Sequence, residues 1–140
     1  MNVAVTNAHQ WRRFPRKETI RAVRSVLRRE KRKIKSVSVV YTDNARIRRI
    51  NNRYLGHNYA TDVVAFQLES SPGLEGEIYV NLDKARTQAK TYGVTFIEET
   101  KRLLVHGLLH VLGYDDSSRI LRFRMTRKED AVLNALKRKK

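Results

Sequence analysis

The sequence predicts an α+β domain, a small mixed β-sheet of about four strands packed against about five helices. Two periodicities and one buried stretch carry that expectation. Short β-branched runs such as Val37–Tyr41 and Thr61–Leu68 are bounded by turn residues, while Pro15 to Ile34 repeats its apolar residues at helical spacing. Between Leu103 and Leu112 the chain is apolar on every side except for two histidines, which predicts a central helix buried nearly all round.

Asn2–Thr6 alternates polar with apolar residues and reads as a short edge or first strand. A helix follows from Pro15 to about Lys33, with Ile20, Val23 and Leu27 inward and Arg21, Arg24, Arg28, Arg29, Lys31 and Arg32 on a mostly solvated face. Lys33–Tyr41 is the next strand. Thr42-Asp43-Asn44 is a helix cap, opening a short helix over Ala45–Tyr54 that turns Ile47 and Ile50 inward and Arg46, Arg48, Arg49 and Arg53 outward. Leu55–Asn58 is a turn. Thr61–Leu68 reads as an interior strand, broken at Ser70–Gly73 and followed by a strand over Gly76–Asn81, so the pair forms a hairpin with a long loop. Leu82–Tyr92 is a helix stopped by Gly93, and Thr95 with Glu98 forms a capping box that opens the buried helix, which runs to about Leu112. A last helix spans Ser118–Leu136, and Lys137–Lys140 reads as a basic disordered tail. Residues 1–136 are expected to form a single domain, without repeat or linker.

Composition narrows the function classes. The 140 residues carry 30 Lys and Arg against 14 Asp and Glu, a formal net charge of +16 that points to a polyanionic partner, nucleic acid first. No run of about 18 apolar residues offers a membrane span, and the N-terminus is too short and polar for a secretory signal, so the expected compartment is the cytoplasm. The absence of cysteine leaves only nitrogen and oxygen to hold any metal.

The buried helix supplies such donors. His106 and His110, one helical turn apart, leave the same face, and Gly113 can turn the chain back toward it, where Asp115 and Asp116 are the next ligand-capable side chains. The pattern His-x-x-x-His-x-x-Gly-x-x-Asp has the ligand spacing of the long zinc motif of metzincin proteases, with Asp116 in the third position. Two histidines and a carboxylate suit Zn²⁺ and leave a coordination position open. Gly107 stands where those proteases carry the glutamate base, which argues against a peptidase. Two imidazoles left unpaired in such a helix would cost several kcal/mol of desolvation.

Three separated stretches resemble the YbeY family of metal-dependent endoribonucleases. His106-Gly-Leu-Leu-His-Val-Leu-Gly-Tyr-Asp-Asp116 is similar to its His-Gly-x-Leu-His-Leu-x-Gly-Tyr-Asp-His signature, Thr61-Asp-Val-Val-Ala-Phe66 to its Thr-Asp-Val-Leu-Ser-Phe strand, and Gly76-Glu-Ile-Tyr-Val-Asn81 to its Gly-Asp-Ile strand. The resemblance implies a cytoplasmic enzyme that cuts single-stranded RNA in 3′-end maturation of small-subunit ribosomal RNA and in late ribosome quality control. It implies RNA and ribosome as partners, with no membrane and no DNA. It also implies one Zn²⁺ per chain on His106, His110 and Asp116.

Two departures from the family pattern bear on activity. Asp116 replaces the usual histidine, and its negative charge makes a weaker electrophile or favours another divalent ion. Leu55, in Tyr54-Leu55-Gly56-His57, replaces an arginine, leaving Arg53 and His57 as the nearest RNA-holding side chains. Asp115 and Glu77 are the carboxylates in matched motifs and hence the candidates for further catalytic roles, Asp115 also for orienting a histidine ring. The rival reading is a non-catalytic RNA-binding ribosome assembly factor with a structural metal.

Overall fold

The computed structural model describes residues 1–69 and 73–138. Strands β1 (Asn2–Asn7), β2 (Ser36–Thr42), β3 (Val63–Glu69) and β4 (Leu74–Asn81) form one sheet in the order β1-β2-β4-β3. β1 and β4 run parallel to β2, whereas β3 pairs antiparallel with β4. Five helices complete the α+β fold: α1 (Arg16–Glu30), α2 (Asn44–Leu55), α3 (Leu82–Tyr92), α4 (Phe96–Val111) and α5 (Arg119–Arg138). None of the described helices is long and apolar enough to cross a membrane.

Strand alternation decides what faces what. The pairs Val3 with Val37, Val39 with Ile78 and Tyr41 with Val80 share one face, and all six side chains are buried. α4 lies on that face, packed against β3 and β4 and flanked by α1, α3 and α5. The helix comes so close that the contact points have no side chain. A Cβ on Gly107 would stand 2.7 Å from Ile78 Cγ2 and 3.1 Å from Val63 Cγ2, and one on Gly76 would stand 2.6 Å from Val111 Cγ1. Gly107→Ala is therefore expected to lower stability by about 1–3 kcal/mol through overpacking. A thermal melt equal to that of the parent chain would contradict this close approach.

Three sequence expectations need correction. The strand over Thr61–Leu68 was expected in the interior of the sheet, but β3 is an edge. Its apolar character comes from cover on both faces, since Val63 meets α4 while Phe66, on the opposite face, meets Tyr54 of α2. α1 ends at Glu30, three residues before its expected limit, because Lys31 takes the left-handed conformation at φ 53° and closes the helix. α5 continues through Lys137 and Arg138, and Lys137 Nζ reaches Glu98 Oε2 at 3.5 Å, so these two residues are not part of a disordered tail. Residues 139 and 140 lie outside the described residues, as do 70–72 of the expected hairpin break.

Asp83 joins three segments at the start of α3. Its Oδ1 pairs with His9 Nε2 at 2.8 Å and accepts from Arg12 Nη1 at 3.1 Å, while Oδ2 accepts from the Asn44 N–H at 3.0 Å. Burial pushes its pKa up, but the bonds to His9 and to the Asn44 N–H, with the charges of His9 and Arg12, outweigh it and hold the carboxyl below its ordinary 3.8. A depressed pKa stabilises the fold above the ordinary value, and that contribution is lost as pH falls through the folded-state value. The Tm deficit of Asp83→Asn should accordingly be full at neutral pH and close as pH drops below about 4. A deficit independent of pH would show that the carboxylate charge does not stabilise this junction.

Candidate metal centre

α4 is capped at its start by Thr95, whose Oγ1 accepts from the Glu98 N–H at 3.1 Å. At its other end Arg32 donates to the Leu112 carbonyl at 3.2 Å, and Gly113, at φ 103°, reverses the chain. The Gly113 and Tyr114 N–H groups close the turn on the His110 and Leu109 carbonyls, both at 3.0 Å. Tyr114 is then anchored from two helices. Its hydroxyl donates to the Glu30 carboxylate, and Lys128, 3.0 Å from Glu30, lies 4.9 Å over the tyrosine ring. So fixed, the turn carries Asp116 back over the histidine face of α4.

The separations there are those of a coordination sphere. His106 Nε2 and His110 Nε2 are 3.1 Å apart, and Asp116 Oδ2 lies 3.3 Å from the first and 3.5 Å from the second. A tetrahedral zinc with bonds of about 2.0–2.1 Å places its donor atoms about 3.3 Å apart. The two Nε2 atoms and the carboxylate oxygen thus converge on one point at metal-ligand spacing. All three side chains are partly exposed, so an ion can enter from solvent.

Behind His106 stands a residue that no sequence motif singles out. Glu129 of α5 bonds His106 Nδ1 through Oε2 at 2.6 Å, and its Oε1 accepts from Arg102 Nη1 at 3.1 Å. Arg102 is held in turn by Asp130 at 2.7 Å. A proton on His106 Nδ1 leaves the Nε2 lone pair for the metal. Burial lowers the His106 pKa, but the Glu129 hydrogen bond and charge, with the charges of Asp116 and Asp62, outweigh it and hold the ring above the ordinary histidine value. Glu99, buried on the same helix, is raised by burial and by Asp62 and Glu129, against the pull of Arg102. A cluster of carboxylates in a chain of net charge +16 is a local cation trap.

The two candidate carboxylates do not join this cluster. Asp115 accepts from the Ser117 N–H at 2.9 Å and from Ser117 Oγ at 2.7 Å, a turn of its own, and Glu129 rather than Asp115 bonds His106. Glu77 pairs with Phe66 across the hairpin and bonds Tyr79, while its neighbours Gly76 and Ile78 face α4. Strand alternation therefore puts it on the far side of the sheet. Beyond Glu129 and Asp116, the carboxylate whose charge reaches His106 is Asp62, in the Thr61–Phe66 motif. It is held by Gln88, which donates to Oδ2 at 3.2 Å, and by its own carbonyl accepting from the Asn81 N–H at 2.8 Å.

The sequence profile described as Endoribonuclease YbeY matches residues 4–137. The chain belongs to the YbeY endoribonuclease family. Relatives carrying that name include one from Chlorobaculum parvum, 39% identical over 116 residues (83% of this chain and 82% of the relative), and one from Chlorobium phaeovibrioides, 41% identical over 125 residues (89% and 84%). One from Salinibacter ruber is 42% identical over 109 residues, covering 71% of this chain and 69% of its own. A solution structure of a Thermotoga maritima protein shares the fold with a TM-score of 0.63 at 21% identity, over 96% of this chain and 91% of that one.

The matched span of the YbeY family includes the whole cluster, Glu129 and Arg102 among it. The other two sequence candidates lie apart from the donor atoms. Arg53 is exposed in the last turn of α2, its guanidinium 5.3 Å from the Tyr54 ring centre, and His57 stacks on Tyr59 at 5.2 Å. Neither bonds the three donors among the described residues. Both precede the segment leading to Asp62, which Asn51 secures by donating to the Tyr59 carbonyl at 3.0 Å and to Thr61 Oγ1 at 3.1 Å.

Proposed function

We propose that the chain is a zinc-dependent endoribonuclease of single-stranded RNA, acting in 3′-end maturation of small-subunit ribosomal RNA and in late ribosome quality control in the cytoplasm. The observation that carries this reading is the convergence of His106 Nε2, His110 Nε2 and Asp116 Oδ2 at zinc-ligand separations in a member of an endoribonuclease family. These three residues would hold the ion, which would supply a Lewis acid to the RNA phosphodiester. Glu129 keeps the proton on His106 Nδ1 and Arg102 keeps Glu129 in place. Asp62, whose charge reaches His106, joins Asp115 and Glu77 as a candidate to take a proton in the reaction. Arg53 and His57, exposed on the approach to Asp62, would hold the backbone of an unpaired strand. Another divalent ion fits the same donors, because Asp116 is an oxygen ligand.

A second reading, an RNA-binding assembly factor with a structural metal, is favoured by Leu55, which places an exposed apolar side chain where the family pattern has an arginine. One assay separates the two. Purified protein should cleave a single-stranded RNA oligomer, lose that activity with a chelator and regain it with zinc, while leaving the same sequence in a perfect duplex intact. Binding without cleavage at any metal supplied would support the assembly factor.

A further inference from the structure

The sheet face turned away from α4 carries a pocket of about 250 Å³ at its β3–β4 end, lined by Tyr54, Phe66, Gln67, Leu68, Glu77 and Tyr79. Its walls are aromatic. The Tyr54 ring meets Phe66 at 5.9 Å and Phe66 meets Tyr79 at 6.2 Å, both edge to face, and Tyr54 is 61% exposed although α2 holds its backbone. The one charged group among the lining residues is the Glu77 carboxylate, whose Oε2 accepts from the Tyr79 hydroxyl at 2.7 Å. Its Oε1 has no hydrogen-bond partner among the described residues and can accept from a donor outside the chain. Beside the rings α2 presents Arg46, Arg49 and Arg53, all exposed and spaced so that they form one stripe along the helix. The stripe adjoins the pocket at Arg53, which lies over the Tyr54 ring.

Flat aromatic walls, a carboxylate acceptor and a row of cations match a nucleotide better than a peptide. A peptide strand does not require a line of three arginines, whereas a nucleic-acid strand brings a ring and a phosphate in every unit. The position agrees. Val63 and Ala65 of β3 face α4, Gln67 donates to the Val111 carbonyl of α4, and Phe66 and Leu68 face the pocket, so the pocket lies at the sheet edge formed by the strand that packs on α4. Phe66 is four residues from Asp62, about 13 Å along an extended strand.

We propose that this pocket is a base-binding subsite. It takes one unpaired base of an RNA strand by stacking on Tyr54 and Phe66, with Glu77 accepting from the base's exocyclic amino group and the Arg46–Arg49–Arg53 stripe holding the adjacent phosphates. The strand then rounds the β3 edge toward His106 and His110. This inference rests on the reading of the chain as an RNA-binding nuclease. The amino group makes adenine, cytosine and guanine better occupants than uracil.

The test is binding of a 2′-O-methyl oligomer, which reads affinity without cleavage, with a single 2-aminopurine whose fluorescence is quenched on stacking. The intact chain should quench it and prefer oligo(A) over oligo(U). Tyr54→Ala should weaken binding about tenfold and abolish the quenching, the scale that base–aromatic stacking supplies, and Tyr54→Phe should restore both. Glu77→Gln should narrow the preference for oligo(A). Tyr54 is exposed, so a melt superimposable on the parent's will show that the fold is kept. Parental affinity and quenching in Tyr54→Ala would overturn the subsite, even if arginine substitutions along the stripe weakened binding. No binding of any single strand by the parent at low salt would overturn the nuclease reading itself, and the subsite with it.

Discussion

Alanine at His110 is expected to remove the metal and RNA cleavage together while leaving the fold intact. His110 is the cleanest of the three donors to delete because its Nε2 faces only the other two, His106 at 3.1 Å and Asp116 at 3.5 Å. No buried partner is orphaned by its loss. Several kcal/mol of transition-state stabilisation go with a catalytic ion, so cleavage should fall by roughly three orders of magnitude or more. Elemental analysis of the purified, untagged variant beside the parent checks the metal, and the single-strand assay checks the activity. His106→Ala should lose both as well and also melt lower, because Glu129 and Arg102 lose a partner in the core. Full activity in either variant would remove these donors from the mechanism.

The helices that carry the donors were legible because their signals are local. Gly93 and the Thr95 and Glu98 pair mark the limits of α3 and α4, and the His106, His110 and Asp116 spacing is contained in one helix and its turn. What was not legible depends on contacts between elements. Glu77 is the exception: β4 alternates Leu74, Gly76, Ile78 and Val80 with Glu75, Glu77, Tyr79 and Asn81, so the period-2 pattern already turns Glu77 away from the core, although its motif suggests the metal. The glycines at 76 and 107 agree, since each leaves room for a close neighbour. Asp115 is a candidate for orienting a histidine ring until Ser117 is seen to bind it. Glu129 lies nineteen or more residues from every histidine donor, in a helix whose charged residues all look solvated in sequence. Its apolar neighbours Met125, Val132 and Leu136 are buried on the same helix, at spacings of three or four residues that place 129 on the buried stripe. A carboxylate on such a stripe needs a partner, and that was the available signal.

Glu129→Gln is the second decisive substitution, and it separates holding the ligand from being the ligand. The glutamate side chain is only 6% exposed, against 25% for His106 and 38% for Asp116, so it sits behind the ring rather than among the donors. Glutamine can still accept from Nδ1–H through its amide oxygen, but the negative charge that makes Nε2 a better donor is gone, and the Arg102 guanidinium faces a neutral partner. Metal affinity should fall about 10- to 100-fold, the usual cost of removing such an orienting group. Competition against a chelator of known affinity reads this without reference to activity. At saturating metal the variant should regain a substantial part of the parent's cleavage, whereas His110→Ala should regain none. Glu129→Ala goes further, since it frees His106 Nδ1 to lose its proton to the other nitrogen and leaves Arg102 with Asp130 alone. That variant should bind metal more weakly than Glu129→Gln and melt lower. Equal metal affinity in Glu129→Gln and the parent would show that the 2.6 Å contact is a packing feature of α5 and that His106 needs no help to face the ion.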